Sequence, residues 1–170
     1  MRLHESANGG AGYSYLETCT EQRDYMRTDA LNMPKCDAGR ISDTPLICVV
    51  DDDVSLLRSL RNLLRASGLR VETFESALLF LQSGDRYRAD CLVADLQMPV
   101  MSGTGLLLAL KEAGSRLPVI MLTAHGEEQI RQRCLRAGAA AFLTKPFESR
   151  ELLDQIELAV AGWRLAAEGS

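Results

Sequence analysis

The stretch Leu46-Ile47-Cys48-Val49-Val50-Asp51-Asp52-Asp53 decides the fold. Five apolar residues in a row, without polar alternation, suit a short strand covered on both faces. Three aspartates then stop it. The next residues change period. Leu57, Leu60 and Leu64 recur at spacings of three and four, as on one face of a helix, and Ser67-Gly68 closes the run.

That strand-helix unit repeats along the chain. Val71–Phe74 reads as a second strand and Ser76–Gln82 as a short helix. Cys91–Ala94 is a third strand ending at Asp95, and Thr104–Ala113 a helix stopped by Gly114. Pro118–Leu122 is a fourth strand ending at Thr123. Ile130, Cys134 and Ala137 mark the next helix, stopped by Gly138. Ala140–Leu143 is a fifth strand just before Lys145, and a last helix carries Leu152, Leu153, Ile156, Ala159, Val160 and Trp163 on one face. Five strands alternating with five helices predict an α/β sandwich, a parallel sheet with helices on both sides and right-handed crossovers.

Composition changes near Pro45. Residues 1–44 hold three of the four tyrosines and show no sustained period, which predicts a poorly ordered extension. A short helix around Tyr15 to Met26, and a later translation start at Met26 or Met33, stay open. The domain itself is expected over residues 45–165, with 166–170 a tail. Apolar residues at 46% and charged residues at 25% are globular values. The net charge of −4 argues against direct nucleic-acid binding, whose usual footprint is basic. Neither a secretory signal nor a membrane-length apolar run is visible, so a cytoplasmic protein with no membrane partner is expected. The five cysteines are scattered without a zinc-like pair, which suits a reducing compartment. Cys48 and Cys91 lie inside strands, where a cysteine acts as a small hydrophobe.

In open parallel sheets, ligands bind beyond the carboxyl ends of the strands. Strand one delivers Asp51 and Asp52 there, strand three Asp95, strand four Thr123 and strand five Lys145. An aspartate after a strand is, taken singly, a turn former or a helix cap. Four strands of five ending in functional side chains are another matter. Clustered carboxylates repel and invite a cation. Mg²⁺ takes one or two carboxylates, several waters and a phosphate oxygen, a role that suits Asp51 and Asp52. Asp95 is then free to attack a phosphoryl group as a carboxylate nucleophile. Lys145 can neutralise charge on the phosphoryl oxygens, and Thr123 can donate a hydrogen bond to one of them.

Four segments together resemble response-regulator receiver domains of bacterial two-component systems: Val49-Val50-Asp51-Asp52-Asp53, the run from Asp95 through Met98-Pro99 to Gly103, Thr123-Ala124, and Leu143-Thr144-Lys145-Pro146-Phe147. The resemblance covers about Leu46 to Val160. It implies a flavodoxin-like (βα)5 three-layer sandwich with strand order 2-1-3-4-5. It implies phosphorylation of Asp95 by a sensor histidine kinase or a histidine phosphotransfer protein. It also implies Mg²⁺, or Mn²⁺ in its place, on Asp51, Asp52, Asp95 and the Gln97 backbone carbonyl. Thr123 would be the switch hydroxyl, Phe142 the switch aromatic, and Lys145 the phosphoryl contact, followed by a cis peptide to Pro146. Gln97 and His125 would modulate the rate of dephosphorylation. His125 and the Met-Ser-Gly run look most like receivers of the nitrogen-fixation regulator type, which precede a helix-turn-helix output domain. After Trp163 only seven residues remain, so the expectation is a receiver standing alone, or one cut from a longer chain. The downstream protein partner stays unnamed, and a phosphorylation-linked homodimer is a further expectation.

Other readings stand beside this one. Asp51-Asp52-Asp53-Val54-Ser55 partly imitates the start of haloacid-dehalogenase-like phosphatases, although that reading leaves Asp95, Met98-Pro99 and Gly103 unexplained. A degenerate receiver that only docks would fail to bind Mg²⁺. A transcription factor would need the output domain. Gly103 and Gly105 lack the lysine and spacing of a phosphate loop and read as a loop-to-helix junction.

Overall fold

The structure is a computed structural model that describes residues 44–124 and 126–168. Its elements, in chain order, are β1 (Leu46–Val50), α1 (Val54–Ala66), β2 (Arg70–Phe74), α2 (Ala77–Gln82), a 3₁₀ turn (Gly84–Tyr87) and β3 (Cys91–Asp95). Then come α3 (Gly103–Glu112), β4 (Val119–Thr123), α4 (Glu128–Ala137), β5 (Ala141–Thr144) and α5 (Ser149–Glu168). The five strands form one parallel sheet in the order β2-β1-β3-β4-β5, as expected. The anticipated extension and its short helix lie outside the described residues.

The apolar runs become strands because both faces of the sheet are covered. β1, β3 and β4 are buried at every position. Alternate strand residues point to opposite faces. Ile47, Val49, Cys91, Val93, Ile120, Leu122, Ala141 and Leu143 pack with Leu57, Leu60 and Leu64 of α1 and with Leu152, Ile156 and Val160 of α5. The strand residues between them, such as Cys48, Val50, Leu92, Ala94 and Met121, are also buried, as are Phe80 of α2, Leu106 and Leu110 of α3 and Cys134 of α4. Cys48 and Cys91 are free, buried thiols, and burial pushes both up to about 12. They act as packing residues, as their strand positions suggested.

Two helix ends were legible from the sequence. Gly68 follows α1 with φ +83, a left-handed conformation open to glycine at little steric cost. Asp53 caps the start of α1, its carboxylate accepting from the N–H groups of Ser55 and Leu56. Strand ends moved slightly. β3 takes in Asp95 and β4 takes in Thr123, residues expected just past the strands, because parallel pairing carries on to Asp95–Leu122 and Thr123–Thr144. The 3₁₀ turn at Gly84–Tyr87 was not anticipated. At four residues it is too short to show a period. No helix among the described residues is long and apolar enough to cross a membrane.

Candidate functional site

The carboxyl ends of β1, β3, β4 and β5 lie side by side along one edge of the sheet, and the chemistry collects there. Lys145, one residue beyond β5, reaches across to the first and third strands. Its Nζ lies 2.7 Å from Asp51 Oδ2 and 2.6 Å from Asp95 Oδ1. Asp51 is 1% exposed, Asp95 6% and Thr123 0%, the three buried polar residues among those described. The Lys145 side chain keeps 24% of its surface, so solvent reaches the ammonium.

The remaining carboxylate oxygens are held by backbone. Asp51 Oδ1 accepts from the Asp53 N–H at 2.8 Å, and Asp95 Oδ2 from the Gln97 N–H at 2.7 Å. Both acids are therefore fixed at both oxygens, one by the common lysine and one by the turn leaving their own strand. Burial pushes the Asp51 carboxyl up, against the opposing pull of Lys145 and the Asp53 N–H. Burial pulls the Lys145 ammonium down, but its hydrogen bonds to Asp51 and Asp95 outweigh this, and its net shift is upward.

The three consecutive aspartates do three different things. Asp51 is buried in the ion pair, Asp52 is exposed, and Asp53 caps α1. For Asp53 the plain reading, helix cap, is the one observed. Thr123 ends β4 in register with Thr144, and its carbonyl accepts from the Lys145 N–H at 2.6 Å. Phe142 is half-buried on β5, beside Met121 and two residues before the position opposite Thr123. Gln97 is exposed. The Lys145-Pro146 peptide is cis. His125 lies outside the described residues.

Two features around Asp95 were not read from the sequence. Ser102 caps α3, its hydroxyl accepting from the Gly105 N–H. Gly103 begins that helix so close to β3 that a Cβ would stand 2.3 Å from the Asp95 carbonyl oxygen. The loop between them turns tightly at Val100, φ +66, with the Met101 N–H donating to the Pro99 carbonyl at 2.7 Å. Buried Met98 and Met101 pin it on either side. Gly103→Ala should therefore push the helix start away from the Asp95 backbone. The expected cost is about 1–3 kcal/mol of stability, read as a lower chemical-denaturation midpoint. An unchanged midpoint would contradict the close approach.

The Asp51 and Asp95 carboxylates offer oxygen ligands at this edge, which suits a hard divalent cation. No three carboxylate, histidine or cysteine groups among the described residues gather into a closed metal cage. The two carboxylates that Lys145 joins, Asp51 and Asp95, fit Mg²⁺, which takes one or two carboxylates and keeps several waters. The upward push on Asp51 is the burial cost that a bound cation offsets.

The response regulator receiver domain, as a family model, matches residues 47–157. This chain is a receiver. Response regulator protein TodT of Pseudomonas putida is 41% identical over 115 residues, covering 68% of this chain and 51% of that protein. Transcriptional regulatory protein FixJ of Azorhizobium caulinodans is 36% identical over 121 residues, covering 71% and 56%. The crystal structure of FixJ-N superposes with a TM-score of 0.65 at 35% identity, covering 69% of this chain and 94% of that one. The receiver thus spans about half the length of the curated relatives it matches. Its five-stranded sheet and helix order are those of the family, and receivers are signalling modules.

Proposed function

We propose that this receiver accepts a phosphoryl group on Asp95 from a phosphohistidine, carried by a sensor histidine kinase or a histidine phosphotransfer protein, and switches conformation in response. The observation that supports this most directly is the Lys145 ammonium held between Asp51 and Asp95, at 2.7 and 2.6 Å. It sets a positive charge where the oxygens of an incoming phosphoryl group would gather beside the Asp95 carboxylate. In transfer, an Asp95 carboxylate oxygen forms a P–O bond as the P–N bond to the histidine breaks, and the imidazole leaves. The product is an aspartyl-phosphate.

Asp51, Asp52, Asp95 and the backbone carbonyl of Gln97 are proposed to hold Mg²⁺, or Mn²⁺ in its place. Bound there, the cation supplies charge neutralisation at the phosphoryl oxygens. Asp51 and Asp95, fixed by the Asp53 and Gln97 N–H groups, need little reorganisation to meet it. Lys145 contacts the new phosphoryl group, and Thr123 donates its hydroxyl to it. Phe142, half-buried on the adjoining strand, changes rotamer as Thr123 moves, which alters the α4–β5 surface read by a downstream partner. Gln97 and His125 are proposed to modulate attack by water on the aspartyl-phosphate. Residues 45–165 are proposed to carry the whole switch.

The test is intact mass after treatment with a small acyl phosphate. One phosphoryl group per chain is expected with Mg²⁺, and none when the metal is chelated. The same result is expected from residues 45–165 alone. Incorporation without metal, or in more than one copy, would contradict the reading.

Two variants separate the roles. Asp52→Ala should weaken Mg²⁺ binding and phosphorylation together, because metal affinity depends on carboxylate charge. Thr123→Ala should keep both yet lose most of the change in amide exchange over residues 127–143, because the hydroxyl acts after transfer. Equal Mg²⁺ titrations for Asp52→Ala and the native chain would remove the metal role. A full exchange response in Thr123→Ala would remove the relay.

A further inference from the structure

We infer that Thr144 is a positioning residue of the switch: its side chain seats the backbone at Gly126 and so sets the resting place of the chain that follows Thr123. The consequence for switching rests on the phosphoacceptor reading, whereas the seat itself is measurable without phosphate.

β4 and β5 run in register to Thr123 and Thr144, and the Lys145 N–H donates to the Thr123 carbonyl at 2.6 Å. Beyond that bond the chain leaves β4, and Gly126 lies against the Thr144 side chain of β5. A Cβ added to Gly126 would stand 2.8 Å from Thr144 Oγ1 and 3.1 Å from Thr144 Cγ2, so one of the two residues would have to shift. The backbone of Gly126 does not lie in the left-handed region, unlike that of Gly68, Gly114 and Gly138. The glycine is therefore needed for room and not for its dihedral angles. Thr144 is β-branched and stands on a strand, so its side chain has few rotamers with which to give way.

The seat lies where the switch acts. Side chains alternate across a strand, so Thr144 shares its face of β5 with Phe142, and its register partner on β4 is Thr123. Thr123 is fully buried, whereas Thr144 and Gly126 are exposed. When the phosphoryl group draws Thr123 toward Asp95, the backbone at Gly126 slides over Thr144. A glycine presents no side chain to catch there. The fit between these two residues thus sets the free-energy difference between the resting and the switched chain. It thereby sets how much of the switched state is populated before any phosphorylation.

Size complementation in the full chain tests this. Gly126→Ala should lift the backbone off its seat. Amide exchange over residues 127–131 should then quicken at least about fivefold in the unphosphorylated protein. Acyl phosphate with Mg²⁺ should phosphorylate this variant about threefold faster, because the switched state is better populated at rest. Thr144→Ala removes Oγ1 and Cγ2 and leaves its Cβ 3.5 Å from the added methyl, an ordinary contact. The double variant Gly126→Ala/Thr144→Ala should therefore bring exchange and uptake back to within about twofold of native, a non-additive result. Thr144→Val keeps the bulk and should match the native chain in both readings. Both positions are exposed, and cooperative melting checks that each variant folds. Thr144→Ile, which enlarges the seat, applies the same push where Gly126→Ala does not fold. A double variant as disturbed as Gly126→Ala would overturn the seat. So would native exchange in Gly126→Ala, or a Thr144→Val chain that behaves as Gly126→Ala does. Altered exchange with unaltered uptake would overturn the link to the switch. A native chain that takes up no phosphoryl group would count against the phosphoacceptor reading instead, and the exchange comparison would still decide the seat.

Discussion

Asp95→Asn should take up no phosphoryl group under conditions in which the native receiver takes one. The amide has nearly the shape of the carboxylate but lacks the anionic oxygen that attacks phosphorus, so the loss is complete. The fold should survive. Asp95 is 6% exposed, and its Oδ2 accepts the Gln97 N–H while Oδ1 faces Lys145. The Asn side-chain oxygen can replace one of those acceptors. Lys145 keeps its second partner, Asp51, at 2.7 Å, so no buried charge is stranded. Intact mass with acyl phosphate and Mg²⁺ reads the first claim, and thermal melting within a few degrees of native reads the second. One phosphoryl group on Asp95→Asn would move the acceptor to another residue.

Lys145→Met should affect chemistry and stability at once. Removing the ammonium leaves Asp51 and Asp95 buried together without their shared counter-charge. Breaking one partner out of a buried ion pair costs about 3–5 kcal/mol, and the partial exposure of Lys145 places the expected loss at about 2–3 kcal/mol. Asp51 is already pushed up by burial while Lys145 opposes the shift, so without the lysine it rises further. A carboxyl raised in the folded state disfavours folding above its unfolded value and not below it. The stability gap between variant and native should therefore be full near neutral pH and close as the pH falls through the acidic range. Mg²⁺ should narrow it at neutral pH by restoring positive charge. Phosphorylation should slow by about 100-fold, the usual cost of removing one preorganised charge contact from a developing anion. Denaturation midpoints against pH, with and without Mg²⁺, and the rate of mass increase check these together. A gap that widened in acid would contradict the assigned sign.

Much of this was legible along the chain because the receiver is built from local units. Each apolar run of β1, β3 and β4 is buried on both faces, so its hydrophobicity is continuous and easy to see. Each polar stop lies at the same end of a parallel strand, so the alternation of elements alone brings Asp51, Asp95, Thr123 and Lys145 to one edge. The helix closures at Gly68, Gly114 and Gly138 all show the left-handed backbone that a glycine allows. Weak local signals were missed. The 3₁₀ turn at Gly84–Tyr87 has no period to read, and the half-buried edge strand β2 began a residue earlier than its apolar residues suggested.

What the sequence determined by itself is the order of strands and helices and the set of side chains at their ends, since both follow from periodicity and from the one-way sense of a parallel sheet. What only the tertiary structure decided is which of those side chains touch. Three adjacent aspartates look equivalent on paper, yet one is buried against Lys145, one faces solvent and one caps a helix. Lys145 lies 94 residues from Asp51 and 50 from Asp95, and the glycine at 103 matters because it lies against the Asp95 carbonyl. Such contacts depend on the register between strands and the angle at which each loop leaves the sheet. Both are set by packing distant parts of the chain together, and neither leaves a mark in local sequence.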